Sequence, residues 1–92
     1  MSERLALAKK LDIKGATALV EDLKSRRGAD LVLNAAATKH IGAVAVQVLL
    51  SAARTWSEDG HALTLADVGD ACVDQLHLLG FSPESLMAGG TA

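Results

Sequence analysis

The side chains in this chain that could bind a metal or act as a nucleophile are three histidines and one cysteine. His40, His61 and His77 share no metal-ligand spacing with one another or with Cys72. Each histidine falls near a loop or a helix edge, which favours an ordinary surface role. Cys72 falls on the apolar side of a predicted helix, where a free cysteine usually packs as a small hydrophobic residue. These residues predict neither a metal site nor a nucleophile.

Three aspartates, Asp67, Asp70 and Asp74, crowd one segment of the chain. Their spacing suits a helix cap and a solvated helix face rather than the paired carboxylates of general acid–base catalysis. The glycines are scattered, and no run of them matches a phosphate-binding loop. The sequence therefore predicts a protein that is not an enzyme and that uses no cofactor.

Composition excludes several classes of partner. The chain has 92 residues, a net charge of −2 and two aromatic side chains, so we expect no nucleic-acid partner. The longest uncharged stretch, 41–53, is shorter than the roughly 20 residues of a membrane-spanning helix, so we expect no membrane insertion. One cysteine and the lack of an apolar signal segment predict a cytoplasmic protein. We assign residues 1–88 to a single domain and 89–92 to a flexible tail.

The elements that must position these residues alternate between strand and helix. Apolar runs predict buried strands, and apolar residues three or four apart predict helices. Asp67 and Ser82 are expected to cap the last two helices, and Gly28 to close the first in a left-handed conformation. This order predicts an α/β domain with a small mixed, largely parallel sheet and helices packed against it. The predicted strands are 5–8, 31–33 and 62–66, and the predicted helices are 12–27, 43–57, 68–79 and 83–87.

In two of the predicted helices we expect particular side chains to pack in the core. In the third helix, the side chains expected to face inward are Cys72, Val73, Leu76 and Leu79. Trp56, at the end of the second helix, is expected to pack over the edge of the sheet in a core role.

The helix predicted over 43–57 has an unusually narrow polar stripe. Its polar residues, at steps of four, three and four, are Gln47, Ser51, Arg54 and Glu58. A helix with so little polar surface is either central to the core or covered by a partner. Ala43, Val44 and Val46 surround the first turn and cannot all face one sheet, so some of them should form an exposed contact patch. The alternative that this patch is buried core stays open.

The segment 31–50, LVLNAAATKHIGAVAVQVLL, resembles the central stretch of STAS domains, the fold of anti-sigma-factor antagonists. In that family a buried strand ends in an acidic residue, a second short apolar run follows, and an Asp-Ser-Ser-Gly motif opens a helix. Asn34 stands at the position of the acidic residue, and Gly-Ala-Val-Ala at 42–45 replaces the motif. The hydrophobic pattern and the order of elements match over nearly the whole chain, whereas the signature residues are substituted.

Three further segments, 46–50, 56–59 and 79–81, are similar to the short free-standing STAS proteins of alphaproteobacterial chemotaxis gene clusters. This resemblance implies a non-enzymatic protein-binding module that binds the chemotaxis histidine kinase and tunes phosphotransfer or response-regulator signalling. Two alternatives stay open, an anti-sigma-factor antagonist or other partner-switching component, and a STAS subunit of a lipid-transport ATP-binding-cassette complex. The sequence also leaves open whether a homodimer forms.

The resemblance also implies that the regulatory switch of the family is missing. In the family, a kinase phosphorylates the serine at the helix start and thereby adds charge to a partner-binding surface. Ala43 stands at that position and has no hydroxyl, while Thr38 lies five residues upstream and Ser51 two turns into the helix. The residues we predict to contact a partner are Lys39, His40, Gly42, Ala43, Val44, Val46 and Gln47.

Overall fold

The computed structural model of the protein describes residues 3–88. The predicted tail, 89–92, lies outside the described residues. Each of the first two helices follows a pair of strands, the second of which has only two residues, and the last strand is followed by two helices. The elements are β1 (Glu3–Ala6), β2 (Lys10–Leu11), α1 (Ile13–Ser25), β3 (Leu31–Asn34), β4 (His40–Ile41), α2 (Ala43–Glu58), β5 (Leu63–Ala66), α3 (Asp70–Leu78) and α4 (Pro83–Met87).

The strands form two parallel sheets. The larger has the order β1-β3-β5, with Glu3 opposite Leu31 and Leu31 opposite Leu63. The smaller pairs β2 with β4. Every strand pairing among the described residues is parallel, and each partner strand is reached through a helix, as parallel pairing requires. This confirms the predicted α/β class with a small, largely parallel sheet, an arrangement compatible with a STAS-like fold.

The core lies between one face of the larger sheet and the helices. Leu31 and Leu33 alternate with partly exposed neighbours along β3, so that one face of the central strand is fully buried. Leu49 of α2 and Leu86 of α4 are buried in the same cluster. Trp56 is also buried, and its indole N–H donates a hydrogen bond to the carbonyl oxygen of Ala29 at 2.9 Å, just before β3. The predicted core role of Trp56 is confirmed.

Local signals place most of the helix ends correctly. The carboxylate of Asp12 caps α1 by accepting a hydrogen bond from the Gly15 N–H, and Ser82 caps α4. Gly28 follows α1 with a φ of +99°, a left-handed conformation that side chains disfavour. Within residues 3–88 no helix is long and apolar enough to cross a bilayer.

Three local predictions are wrong. Asp67 does not cap α3, because Gly69 is the N-cap and Asp67 instead accepts a hydrogen bond from the Asn34 side-chain amide at 3.0 Å. Leu79 lies just beyond the end of α3 and is exposed rather than inward-facing. The first strand covers Glu3–Ala6, two residues earlier than predicted.

Candidate functional site

The pairing of β2 with β4 brings the starts of α1 and α2 side by side. Lys10 lies opposite His40, and Leu11 lies opposite Ile41. The backbone N–H of Gly42 then donates a hydrogen bond to the Leu11 carbonyl oxygen at 3.0 Å. Because each helix begins within two residues of its short strand, the two helix N-termini face the same end of the molecule.

Six of the seven predicted contact residues lie together at the start of α2. Five are exposed and the sixth, Gly42, is half-buried; we call this set the helix-start surface. Its members are Lys39, His40, Gly42, Ala43, Val44 and Gln47. Val44 is 50% exposed, and Ile13, at the neighbouring start of α1, is 70% exposed.

Val46 does not belong to this surface, and its prediction as a contact residue is wrong. It is only 1% exposed and packs in the core. Two residues along an α-helix correspond to a rotation of about 200°, so Val44 and Val46 point to nearly opposite sides of α2. The first turn of α2 therefore divides between core and surface.

The backbone before α2 is held from the side by α3. The side-chain oxygen of Gln75 accepts a hydrogen bond from the Ile41 N–H at 2.8 Å, and its amide nitrogen donates to the Lys39 carbonyl oxygen at 3.0 Å. Gln75 thus satisfies one backbone group of β4, the Ile41 N–H, and one just before it, the Lys39 carbonyl oxygen. Sequence analysis missed this residue, since a single glutamine on a helix carries no signal for such a contact.

Thr38 and Ser51, the hydroxyls nearest to the motif position, occupy different environments. Thr38 is 3% exposed, and its hydroxyl donates a hydrogen bond to the Ala8 carbonyl oxygen at 2.9 Å. Ser51 is exposed, but it lies two turns into α2. At the motif position itself, Ala43 is the first residue of α2 and is exposed. A kinase that reached the start of α2 would therefore meet no hydroxyl there.

Two further lysines, Lys9 and Lys10, lie beside Lys39 of the helix-start surface. The Lys39 N–H donates a hydrogen bond to the Lys9 carbonyl oxygen at 2.7 Å, which places Lys9 and Lys10 beside Lys39. All three side chains are exposed. Asp12 supplies a nearby carboxylate, whose pKa is lowered first by the hydrogen bond from the Gly15 N–H and further by the charges of Lys10 and His40. Sequence analysis named Lys39 and His40 but missed the first two lysines, because it did not predict β2.

A groove of about 450 Å³ runs between α1 and α2 from the helix-start surface. Val44 lies at one end of it, and Val20 and Val48 contribute to its apolar wall. Lys24 and Arg27 line the other end, where Arg27 forms a bidentate ion pair with Asp59 at 2.8 and 3.1 Å. This ion pair joins the C-terminal ends of the two helices. Among the described residues, no carboxylate lines the groove.

Cys72 and the groups that could hold a metal ion are the remaining chemical candidates from the sequence. Cys72 is buried, burial raises the pKa of its thiol, and the thiol donates to the Thr38 carbonyl oxygen at 3.5 Å. No group of three histidine, cysteine, aspartate or glutamate side chains within residues 3–88 is placed to hold a metal ion.

Comparisons of the chain with protein-family models, with curated proteins and with solved structures found no match.

Proposed function

We propose that this protein is a non-enzymatic binding module of the STAS type, which binds the chemotaxis histidine kinase and tunes phosphotransfer or response-regulator signalling. The main support for the proposal is the exposure of the aliphatic Val44 side chain at the start of α2. In STAS domains, which the segment 31–50 resembles, the regulated motif stands at this helix start. The same resemblance favours the kinase as partner.

The helix-start surface has two properties that favour protein binding. First, Val44 and Ile13 expose apolar surface at adjacent helix starts, and clustered exposed apolar groups mark contact sites in small proteins. Second, Gln75 and Thr38 hold the preceding backbone in place. A surface that is already ordered loses little conformational entropy on binding, which leaves more of the contact energy as affinity.

Binding through this surface is expected to be constitutive. Ala43 has no hydroxyl to accept phosphate, and Thr38 is buried and hydrogen-bonded. Incubation with ATP and the kinase should leave the protein unlabelled, as measured by intact-protein mass spectrometry. Stoichiometric phosphate on any serine or threonine of 31–50 would contradict constitutive binding.

The partner assignment is tested by titrating isolated kinase modules with the protein in a calorimeter. We expect one module to bind at a single saturable site with a negative heat-capacity change, because apolar burial drives the contact. Val44→Glu should abolish micromolar binding without unfolding the domain, since an unpaired carboxylate in an apolar contact costs about 3–5 kcal/mol.

The matched control is Leu78→Glu, which makes the same kind of change at an exposed aliphatic residue on α3, and this variant should bind the kinase normally. Added salt should weaken binding only slightly, because the lysines lie at the rim of the surface. If no kinase module binds while an anti-sigma factor or a transporter ATPase does, the chemotaxis assignment is wrong. If Val44→Glu binds as well as the unmodified chain, the interface lies elsewhere.

A further inference from the structure

The outer face of α3 combines acidic and apolar side chains in one line. Asp70, Asp74 and Leu78 are spaced four residues apart, so they lie above one another on the same side of the helix. All three are exposed, and Leu78 is 87% exposed, more than any other large hydrophobic residue described. Neither aspartate forms an ion pair within residues 3–88. Leu78 therefore fills no pocket in its own molecule. An exposed leucine beside two carboxylates is suited to fill an apolar pocket of another molecule.

The groove between α1 and α2 has the opposite character. Its apolar end contains Val20 and Val48, while Lys24 and Arg27 line its other end. Lys24 forms no ion pair with any described residue. The groove therefore presents an apolar pocket followed by cations, as α3 presents a leucine followed by carboxylates.

The groove residues on α1 and the exposed residues on α3 also have matching spacing. From Val20 to Lys24 is one helical turn, and from Leu78 back to Asp74 is one turn. Continuing in the same directions leads to Arg27, two residues beyond the end of α1, and to Asp70, the first residue of α3. If α3 lies antiparallel to α1, all three pairs come into register at once.

We propose that α3 of one copy of this chain docks antiparallel into the α1–α2 groove of a second copy. Leu78 fills the apolar end, and Asp74 pairs with Lys24. In this orientation the N-terminus of α3 lies against the C-terminal ends of α1 and α2, so the helix dipoles attract. The contact joins two different surfaces, so each copy keeps one free surface and chains of several copies form.

The contact is small, because it consists of one nine-residue helix in one groove. Such contacts are weak, and we expect a dissociation constant on the order of 0.1 mM. Sedimentation velocity over a concentration series is therefore the suitable measurement. The unmodified chain should be monomeric at low micromolar concentration and should show a rising mean mass at several tenths of a millimolar.

Two variants, each blocking one surface, test the head-to-tail geometry. Leu78→Glu removes the anchor and Ser51→Glu places bulk and negative charge in the groove; both residues are exposed, so folding should persist. Each variant alone should stay monomeric at all concentrations. Mixed in equal amounts they should form a one-to-one dimer and nothing larger, because only one productive contact is possible. The control Ile13→Glu, an exposed aliphatic residue outside the groove, should associate like the unmodified chain.

A second arm tests the charge pairing. Lys24→Glu and Asp74→Lys should each weaken association at least tenfold, and the double variant, in which the two charges are exchanged, should restore it. An unmodified chain that stays monomeric at 1 mM, or a variant mixture that stays monomeric while the unmodified chain associates, would overturn the proposal. Kinase binding is read separately, because Leu78→Glu leaves the helix-start surface intact; self-association and kinase binding can therefore fail independently.

Discussion

The starts of α1 and α2 are adjacent, yet they are built differently. At the start of α1 the Asp12 carboxylate accepts a hydrogen bond from the Gly15 N–H at 2.9 Å and closes the helix end. At the start of α2 the N-cap is Gly42, which has no side chain to offer. A carboxylate engaged as a cap is not available to a partner, whereas an uncapped start exposes backbone N–H groups and the neighbouring Val44. The two helix starts therefore differ in what they expose, because the α2 start presents Val44 beside an N-cap that has no side chain.

The contrast inside α2 provides the prediction with the largest effect. Val46→Asp should unfold the domain or lower its free energy of unfolding by at least about 3 kcal/mol, because a carboxylate would be buried among apolar side chains. Val44→Asp should change stability by less than about 1 kcal/mol, because that side chain reaches water. Urea unfolding followed by circular dichroism measures both. Equal midpoints for the two variants would show that α2 is not rotated as described.

Gly15 and Gly42, near the starts of α1 and α2, should respond differently to substitution by alanine. A Cβ at Gly15 would lie 2.6 Å from the Lys10 carbonyl oxygen, whereas one at Gly42 would lie 3.4 Å from that of Leu11. Gly15→Ala should therefore destabilise the domain by about 1–3 kcal/mol, despite the better helix propensity of alanine, since backbone must move. Gly42→Ala should cost less than about 1 kcal/mol. The measurement is again the urea midpoint, and a stabilising Gly15→Ala would contradict the close approach.

The start of α2 also depends on Gln75 of α3. Gln75→Ala removes the hydrogen bonds to the Ile41 N–H and the Lys39 carbonyl and should lower the free energy of unfolding by about 1–2 kcal/mol. Gln75→Glu keeps the acceptor for the Ile41 N–H but loses the donor to the Lys39 carbonyl. Its free energy of unfolding should therefore fall less than that of Gln75→Ala. Amide hydrogen exchange should show faster exchange at Ile41 in the alanine variant than in the glutamate variant. Unchanged protection at Ile41 in both would contradict the positioning role of Gln75.

The smallest expected effect is a difference in acid sensitivity. The hydrogen bond from Gly15 holds the pKa of Asp12 below its ordinary value of 3.8. A folded-state pKa below the unfolded one stabilises the protein above the unfolded pKa, and this contribution disappears as the pH falls through the folded pKa. Asp12→Asn keeps a capping oxygen but cannot titrate, so its Tm should fall less steeply than that of the unmodified chain below about pH 4.

Asp59 is a second source of the same acid dependence. Its ion pair with Arg27 lowers the pKa of its carboxyl group, so part of the steepness should remain in Asp12→Asn. If Tm falls with pH in the same way in the unmodified chain and in Asp12→Asn, the Asp12 cap does not contribute to the acid dependence of stability. Gly42, the N-cap of α2, cannot ionise and adds no such dependence.

Local signals in the sequence predicted most elements, because each signal acts within a few residues. Asp12, Gly28 and Ser82 fix their own helix ends through a cap or a backbone conformation, and neighbouring structure does not alter them. Asp67 was misjudged because the same residue type also suits a left-handed turn, and its partner Asn34 lies 33 residues away. A pairing at that distance leaves no mark in the local pattern.

The candidate site was predicted only in part, for a geometric reason. The apolar residues at the start of α2 indicated that some must be exposed, but which ones depends on how α2 is rotated against the sheet. The structure places Val44 outward and Val46 inward. Lys9 and Lys10 joined the site through β2, whose two residues are too few for any periodicity to indicate a strand.

The parallel pairing of the strands has a consequence for how the chain folds. Glu3 meets Leu31 and Leu31 meets Leu63, so each pairing closes a loop of about 30 residues, and the chain has no hairpin in 3–88 from which to begin. Loop closure of this kind slows folding relative to helical proteins of the same size. Because β3 pairs with both other strands, neither edge strand can join the sheet before it. During synthesis, β1, α1 and β3 emerge first as a complete unit, and β5 can add to it only after α2 has left the ribosome.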